Sequence, residues 1–291
     1  MAALERLGFI GLGNMGGAIA RRLLRAGFPL TVYDVVREKM QPLLDEGAAA
    51  AAAPDEVAMR STIVMASLQS ADVEEVALGK SGISEADRAG LLFVDLSSTT
   101  AELAVKVAST LRQRGIEMLD SPVSGADIGA TNGNLTLFVG GSYEAFQRAL
   151  PVLQIVGRTV TYLGKNGNGQ LGKIINEMMQ TFSQLAIYEG LQLAEKMGLD
   201  LKMFARAVSA GCAQSWRLDE LVDAVFNRGE SNFRLNLRPG RTGRAIDMAA
   251  AVGLALSGAE AAHRIFADHS WEIVIDFEGS NIITPIKKQP S

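Results

Sequence analysis

Over its first 164 residues the chain alternates short apolar runs with segments whose apolar positions recur at helical spacing. The runs Leu7–Ile10, Leu30–Tyr33, Thr62–Met65, Leu91–Val94, Ile116–Met118, Leu135–Val139 and Val160–Tyr162 read as strands. Helical patterns lie between most of them, such as the one carrying Ile19, Leu23 and Leu24. This alternation predicts an α/β fold with a mostly parallel, doubly wound sheet. The alanine run Ala48–Ala53 ends at Pro54 and reads as a short edge strand or turn leading into a helix.

The texture changes at Gly164-Lys165-Asn166-Gly167-Asn168-Gly169, a glycine-rich connection. A long helical pattern follows from about Gln170 to Met197 and ends at Gly198, with apolar positions around most of its circumference. Such a helix is expected to be buried between domains or subunits. Further helices are predicted over Leu201–Ala210, Leu218–Asn227 and Thr242–Phe266, with no convincing strand before the tail. The expected domains are therefore 1–164 and a mainly helical 165–291, with Trp271–Ser291 unassigned.

The first strand runs into Gly11-Leu12-Gly13-Asn14-Met15-Gly16, and the second ends in Asp34, eighteen positions after Gly16. In a nucleotide-binding βαβ unit the first glycine allows the tight turn and the second admits a pyrophosphate. The third lets helix and strand pack closely. The N–H groups and positive dipole end of the following helix then face the phosphates. Asp34 can accept hydrogen bonds from ribose hydroxyls and repels a 2′-phosphate, which favours NAD over NADP. Arg37 lies close enough to pair with a phosphate instead, but reads more simply as part of the next helix. Ligands of such sheets sit at the carboxyl ends of the strands. That places Leu12–Met15, Asp34, Ala66–Leu68, Ser97–Thr99 and the segment after Asp120 around one crevice.

Composition narrows the partners. With 48% hydrophobic residues in 291 the chain can bury sizeable cores, and a formal net charge of −4 predicts no affinity for nucleic acid or anionic membrane. A single cysteine, Cys212, excludes an intrachain disulfide, and two histidines, His263 and His269, are too few for a metal site. Cys212 reads as a small apolar residue and the histidines as surface or helix-end residues. A cytoplasmic location is expected, since the apolar stretch from Leu7 reads as a strand rather than a signal peptide. No apolar segment approaches the ~20 residues needed to span a bilayer.

Two further segments carry candidate chemistry. In Asp120-Ser121-Pro122-Val123-Ser124-Gly125 a hydroxyl beside glycine N–H groups can hold a carboxylate. In Gly169-Gln170-Leu171-Gly172-Lys173-Ile174-Ile175-Asn176-Glu177, Lys173 shares a helix face with Asn176 and Glu177. A lysine in a desolvated crevice can act as acid and base near neutrality. Each segment also has a plain structural reading, as a Pro/Gly turn and a solvated first-turn lysine.

Taken in order, these motifs resemble the β-hydroxyacid dehydrogenases, a family including 3-hydroxyisobutyrate dehydrogenase and tartronate semialdehyde reductase. The resemblance rests on Gly8–Gly16, Asp95-Leu-Ser-Ser-Thr99, Asp120–Gly125 with Leu135–Gly141, and Gly169–Asn176. It implies a Rossmann domain, a long interdomain helix, an all-α C-terminal domain and a homodimer or homotetramer. By position it implies Lys173 as the catalytic lysine and Ser124 and Gly125 as holders of a substrate carboxylate. Asn176 and Glu177 fall in the substrate-positioning region. Gly11, Leu12, Gly13, Asn14, Met15, Gly16, Asp34, Ser67, Leu68, Ser98 and Arg244 fall on the cofactor side. The implied reaction is hydride transfer between NAD (NADP less favoured) and a small anionic hydroxyacid or its semialdehyde. An imine reductase on the same scaffold is the rival enzyme, although those relatives usually replace the lysine. A catalytically silent nucleotide-binding module is the non-enzymatic alternative, and a 6-phosphogluconate dehydrogenase would have a much larger helical domain.

The chain also departs from the family pattern. Ala126 stands where the second glycine after Ser-Gly is usual, and Ala66-Ser67-Leu68 lacks the usual proline. Glu177 replaces an amide, where a carboxylate could recognise an amine or hydroxyl, and Arg244-Ala245 replaces a Lys-Asp pair. Arg234, Arg238, Arg241 and Arg244 form a basic cluster that could hold a second anionic group, and Trp216 reads as core.

Overall fold

The computed structural model describes residues 5–86, 88–237, 239–266, 270–277 and 283–288. The chain separates into two compact units, Met1–Lys173 and Ile174–Ser291.

The first unit is built on one sheet. Strand β1 (Leu7–Ile10) leads through the glycine turn into α1 (Asn14–Arg25), followed by β2 (Leu30–Tyr33), α2 (Gln41–Leu44) and β3 (Ala49–Ala50). Then come α3 (Pro54–Arg60), β4 (Ile63–Ala66), α4 (Val73–Leu78), β5 (Leu92–Asp95), α5 (Ala101–Gln113) and β6 (Glu117–Asp120). The spatial order β3-β2-β1-β4-β5-β6 is parallel throughout, with the order reversing between β1 and β4. That is the dinucleotide-binding arrangement, with its ligand crevice at the reversal. The short β7 (Val123–Ser124), α6 (Ala126–Asn132), β8 (Leu135–Gly140), α7 (Tyr143–Val156) and β9 (Gly157–Gly164) complete the sheet. Here β8 runs antiparallel to β6 and β7, while β9 pairs parallel with β8. The alanine run forms the edge strand β3, as its sequence suggested.

Successive residues of a strand face opposite sides of the sheet, and both sides are covered. Phe9, Val32, Met65 and Val94 pack with Ile19 and Leu23 of α1. Their neighbours Ile10, Val64 and Phe93 pack with Val57 of α3 and Val107 and Leu111 of α5. Burial on both faces is why these strands read as unbroken apolar runs.

The long helix α8 (Asn168–Lys196) begins at the end of the first unit and continues into the second. The second unit continues with α9 (Leu201–Ser209), α10 (Trp216–Phe226), β10 (Asn232–Leu237), α11 (Pro239–Ala250), α12 (Ser257–Phe266), β11 (Ser270–Asp276) and β12 (Ile283–Lys288). It is mainly helical, as expected, but not all-α: β10, β11 and β12 form a three-stranded antiparallel sheet. Alternate residues Phe233, Leu235, Ile273 and Ile275 join Leu191, Leu218 and Leu221 in one core. This period-two alternation was visible in the sequence at Asn232–Leu237 and is the signal that a strand reading there required. The single helix expected over Thr242–Phe266 is two, broken by a turn in which Gly253 has φ +73°. Trp216, expected in the core, is half exposed at 53%, and Cys212 is exposed.

Candidate active site

The carboxyl ends of β1, β2, β4, β5 and β6 bring most of the sequence-selected residues of the first unit to one edge of the sheet. At the first of them, Gly11 takes φ +86°, and a Cβ there would sit 2.4 Å from the Ser67 carbonyl oxygen. A Cβ on Gly16 would lie 2.0 Å from the Gly11 carbonyl oxygen, so the third glycine is what lets α1 close onto the turn. A Cβ on Gly13 would meet nothing within 4 Å. The three glycines therefore have three reasons: Gly11 and Gly16 serve the fold, and Gly13 leaves open backbone at the helix start. Asn14 and Met15 form the first turn of α1, whose unpaired N–H groups and dipole suit an anion.

Asp34 is buried at the end of β2. The backbone N–H groups of Leu12 and Val36 donate to its two carboxylate oxygens at 2.7 and 2.8 Å, and Lys39 Nζ lies 3.7 Å away. Each oxygen keeps a lone pair for a further donor such as a ribose hydroxyl. Beside it a cleft of about 530 Å³ is lined by residues including Tyr33, Asp34, Val35, Arg37 and Glu56. A nucleotide's adenosine end fits this chemistry, with a fixed acid at the ribose position and small alanine side chains at Ala50–Ala52 on the wall.

The loops after β4 and β5 are tied together. Ser67 N donates to the Ile10 carbonyl at 3.0 Å, and Leu68 N donates to Ser97 Oγ at 2.9 Å. Ser98 is half-buried between Ser97 and Thr99, both buried. Beneath them lie two acids in register on adjacent strands, Asp95 and Asp120, each with no exposed surface. Asp120 accepts from Gly167 N at 2.8 Å, Gln170 N at 3.2 Å and Asn166 Nδ2 at 3.4 Å. Burial pushes its carboxyl up, and those donors oppose the shift. Asp95 receives Ser97 N at 2.9 Å on one oxygen, while its other oxygen has no partner among the described residues. Burial, opposed by Ser97 and reinforced by the charge of Asp120, raises Asp95 to about 7.

The segment after β6 holds Ser124, half-buried in β7, and Gly125, whose φ of +137° demands glycine. Ala126, at the family's usual glycine position, also adopts a positive φ, +55°. Lys173 sits at the end of the first unit, in the second turn of α8, with only 9% of its surface exposed. It is not a solvated surface lysine.

In the second unit, Asn176 is half-buried and Glu177 is buried. Arg244 Nη2 donates to Glu177 Oε2 at 2.5 Å, so the two departures from the family pattern are one ion pair. That pairing counts against an unsatisfied carboxylate waiting for an amine. The basic cluster is likewise engaged: Arg234 pairs with Glu272, and Arg241 donates to Gln180 at 3.1 Å. Arg238 and His269 lie outside the described residues, while His263 is half-buried, with Nδ1 3.2 Å from Thr242 Oγ1. Among the described residues no three potential metal-ligating side chains come together, and no helix is long and apolar enough to cross a membrane. The residues that sequence reasoning passed over are Asp120 and Gln170, fully buried polar groups that fasten the start of α8. The signal for Gln170 was a polar residue inside a glycine-rich helix start, and that for Asp120 was an acid closing an apolar strand.

Comparison with known proteins agrees with this geometry. Residues 6–164 match the NAD binding domain of 6-phosphogluconate dehydrogenase. Residues 167–284 match the NAD-binding region of NADP-dependent 3-hydroxyisobutyrate dehydrogenase. The chain belongs to the β-hydroxyacid dehydrogenase family. Among family members, the mitochondrial 3-hydroxyisobutyrate dehydrogenase of Bos taurus is 31% identical over 275 residues, 91% of this chain and 82% of that one. The Mycobacterium tuberculosis 3-hydroxyisobutyrate dehydrogenase solved with L-serine superposes with a TM-score of 0.79 at 27% identity, covering 91% and 93% of the two chains. A Streptomyces aurantiacus imine reductase, 25% identical, superposes with a TM-score of 0.64 over 90% and 94%. As a β-hydroxyacid dehydrogenase family member, the protein is an oxidoreductase that uses a nicotinamide dinucleotide and acts on CH–OH groups.

Proposed function

We propose that the protein interconverts a small β-hydroxyacid and its semialdehyde or ketoacid, prefers NAD to NADP, and uses Lys173 as its general acid and base. The observation that carries this is the burial of Lys173 in the helix whose first turn is bonded to the Ser97–Thr99 loop. When bound, the dinucleotide supplies the hydride acceptor or donor. Gly13, Asn14 and Met15 present the start of α1 to its pyrophosphate, with Gly11, Leu12 and Gly16 shaping the turn. Asp34 accepts from its ribose, and Ser67, Leu68 and Ser98 flank its reactive end. Ser124 and the Gly125 N–H hold the substrate carboxylate, and Asn176 orients the substrate. Lys173 Nζ takes the hydroxyl proton during oxidation and returns it during reduction. Fixing both ends of a small molecule supplies the orientation on which hydride transfer depends. Glu177, proposed for the substrate, and Arg244, proposed for the cofactor, act as one ion pair.

Residues 1–164 then form the cofactor domain and 165–291 the substrate and oligomerisation domain. The exposed Leu193 of α8 and Met197 just after its end favour a homodimer or homotetramer. A single exposed cysteine suits the reduced cytoplasm, although the bovine relative is described as mitochondrial.

The test follows nicotinamide absorbance across hydroxyacids, semialdehydes and cyclic imines with NAD and NADP. Lys173→Ala should lower kcat by about 10²–10⁴-fold, the usual contribution of a positioned proton donor or acceptor. Turnover unaffected by Lys173→Ala overturns the role of Lys173. Turnover confined to cyclic imines would favour the second reading, an imine reductase, which the Streptomyces structure keeps open.

A further inference from the structure

Gln170 has no exposed surface, yet its side chain is fully polar at the tip. Its Oε1 accepts from Thr99 N at 3.0 Å and its Nε2 donates to the Ser97 carbonyl at 2.8 Å. A backbone N–H can only donate and a backbone carbonyl can only accept, so the two partners fix which way the amide points. The backbone N–H of the same residue donates to Asp120 Oδ2 at 3.2 Å. Ser97 carries the connection further: its Oγ receives Leu68 N at 2.9 Å and its own N–H donates to Asp95 Oδ1 at 2.9 Å. One buried amide therefore joins the first turn of α8 to the loop after β5, and through it to the loop after β4. The same turn of helix leads, three residues on, to Lys173.

We infer that Gln170 is a positioning residue that couples the cofactor loop Ser97–Thr99 to the helix turn carrying Lys173, so that nucleotide binding sets the register of the lysine. This rests on the reading of Lys173 given above, but the coupling is a property of the fold and can be measured without turnover. No other side chain meets the geometry. Asparagine is one methylene too short to reach both backbone groups, and an apolar residue of equal length leaves a buried N–H and a buried carbonyl unpaired. Such a loss destabilises the loop and frees the helix start to shift, and displacement by about 1 Å is enough to cost on the order of 10²-fold in rate.

The experiment measures hydrogen exchange over residues 97–99 and 167–173 in the full-length protein, with and without saturating NAD⁺. It compares the wild type with Gln170→Met and Gln170→Asn. In the wild type NAD⁺ should slow exchange in both segments. In either variant the slowing should persist at 97–99 and vanish at 167–173. The NAD⁺ dissociation constant should move by less than about threefold while kcat falls about 100-fold, a split that a general loss of folding would not produce. Thermal unfolding of each variant gives the folded fraction used to normalise kcat, and Gln170→Asn serves if Gln170→Met does not fold. Equal NAD⁺-dependent protection of 167–173 in wild type and variants would overturn the coupling. If Lys173→Ala leaves turnover untouched while the exchange coupling is lost in the variants, the assignment of Lys173 fails and the strap stands.

Discussion

Two corners of the same parallel sheet place a buried acid at a strand end, and they treat it in opposite ways. At the end of β2, both oxygens of Asp34 receive a backbone N–H, and Lys39 lies nearby. The glycine turn beside it places glycine at the one positive φ it needs, at Gly11. At the ends of β5 and β6, Asp95 receives one N–H for two oxygens and faces a second acid in register. The hydroxyl of Ser121 next to it has no partner among the described residues, and Ala126 holds a conformation suited to glycine. The first corner is relaxed and proposed to hold the constant part of a dinucleotide. The second stores unmet polar groups and backbone strain where the substrate and the lysine are proposed to meet. Strain of this kind persists only where the surroundings over-determine it, and it clusters at reacting sites.

The contrast is tested most severely at Asp120, the one well-satisfied acid of the strained corner. Asp120→Ala strands the buried Gly167 N and Gln170 N, while Asn166 Nδ2 keeps its 2.8 Å bond to the Met118 carbonyl. Each buried donor left unpaired costs about 1–3 kcal/mol, offset in part by loss of a desolvated charge. We expect a net loss of about 3–5 kcal/mol, read as a fall of about 10 °C in Tm. Asp34→Ala, which strands two N–H groups, should cost about 2 kcal/mol. Equal losses would mean that Asp120 is not the anchor of α8.

Asp95 gives the next largest effect and has a sign. Its folded value of about 7 lies above the reference 3.8, because burial penalises the charged form. Between those values the folded protein holds a proton that the unfolded chain has released, so this group's contribution is greatest at low pH and is lost as pH rises towards 7 and beyond. From pH 5 to pH 8 the loss amounts to about 2–3 kcal/mol. Asp95→Asn keeps the shape without the charge, so wild type minus variant stability should fall by that amount over the same interval. A difference independent of pH would show that Asp95 meets a donor which removes the contrast with Asp34.

How much of this was legible beforehand follows the same division. The relaxed corner was readable because its requirements are local: Gly11, Gly13, Gly16 and Asp34 stand at fixed offsets on one βαβ unit, and apolar runs announce strands buried on both faces. The strained corner was readable only as residue types at Ser124, Gly125 and Lys173. Its pairings, Gln170 to Ser97 and Thr99 or Asp120 to Gly167, join residues some fifty to seventy positions apart, and no periodicity encodes them. Nor does anything in the sequence say that Ala126 would keep a glycine's φ. In the second unit, one-sided strands of six or seven residues between helices were masked by the surrounding helical pattern, although Phe233-x-Leu235 and Ile273-x-Ile275 carried the alternation. The Glu177–Arg244 pair shows the other limit: each looked like an isolated departure, and only their 2.5 Å contact explains both.

Within the relaxed corner the glycines should separate. Gly16→Ala forces a Cβ to within 2.0 Å of the Gly11 carbonyl oxygen, which should destabilise by about 2 kcal/mol through overpacking. Gly13→Ala meets nothing within 4 Å, so Tm should hold while the dissociation constant for NAD⁺ rises at least about 10-fold as the methyl blocks the pyrophosphate. Thermal unfolding and a fluorescence titration of NADH distinguish the two. A stable Gly16→Ala protein with intact nucleotide binding would remove the packing argument.

The smallest effect bears on whether the second corner is strained at all. Ala126 at φ +55° sits where an L-residue with a Cβ loses about 1–2 kcal/mol relative to its ordinary conformations. Ala126→Gly relieves that strain. The same change also gives the unfolded chain more conformations, which costs about 0.4–1 kcal/mol. The balance favours glycine by about 0.5–1 kcal/mol, or about 2 °C in Tm for a chain of this size. A loop that has lost its constraint should also hold the substrate less firmly, so KM should rise although the fold is more stable. Stability falling on Ala126→Gly would mean that the alanine methyl gains more from its neighbours than its backbone loses. The opposition between a relaxed nucleotide corner and a strained reacting corner would then rest on the unmet polar groups of Asp95 and Ser121.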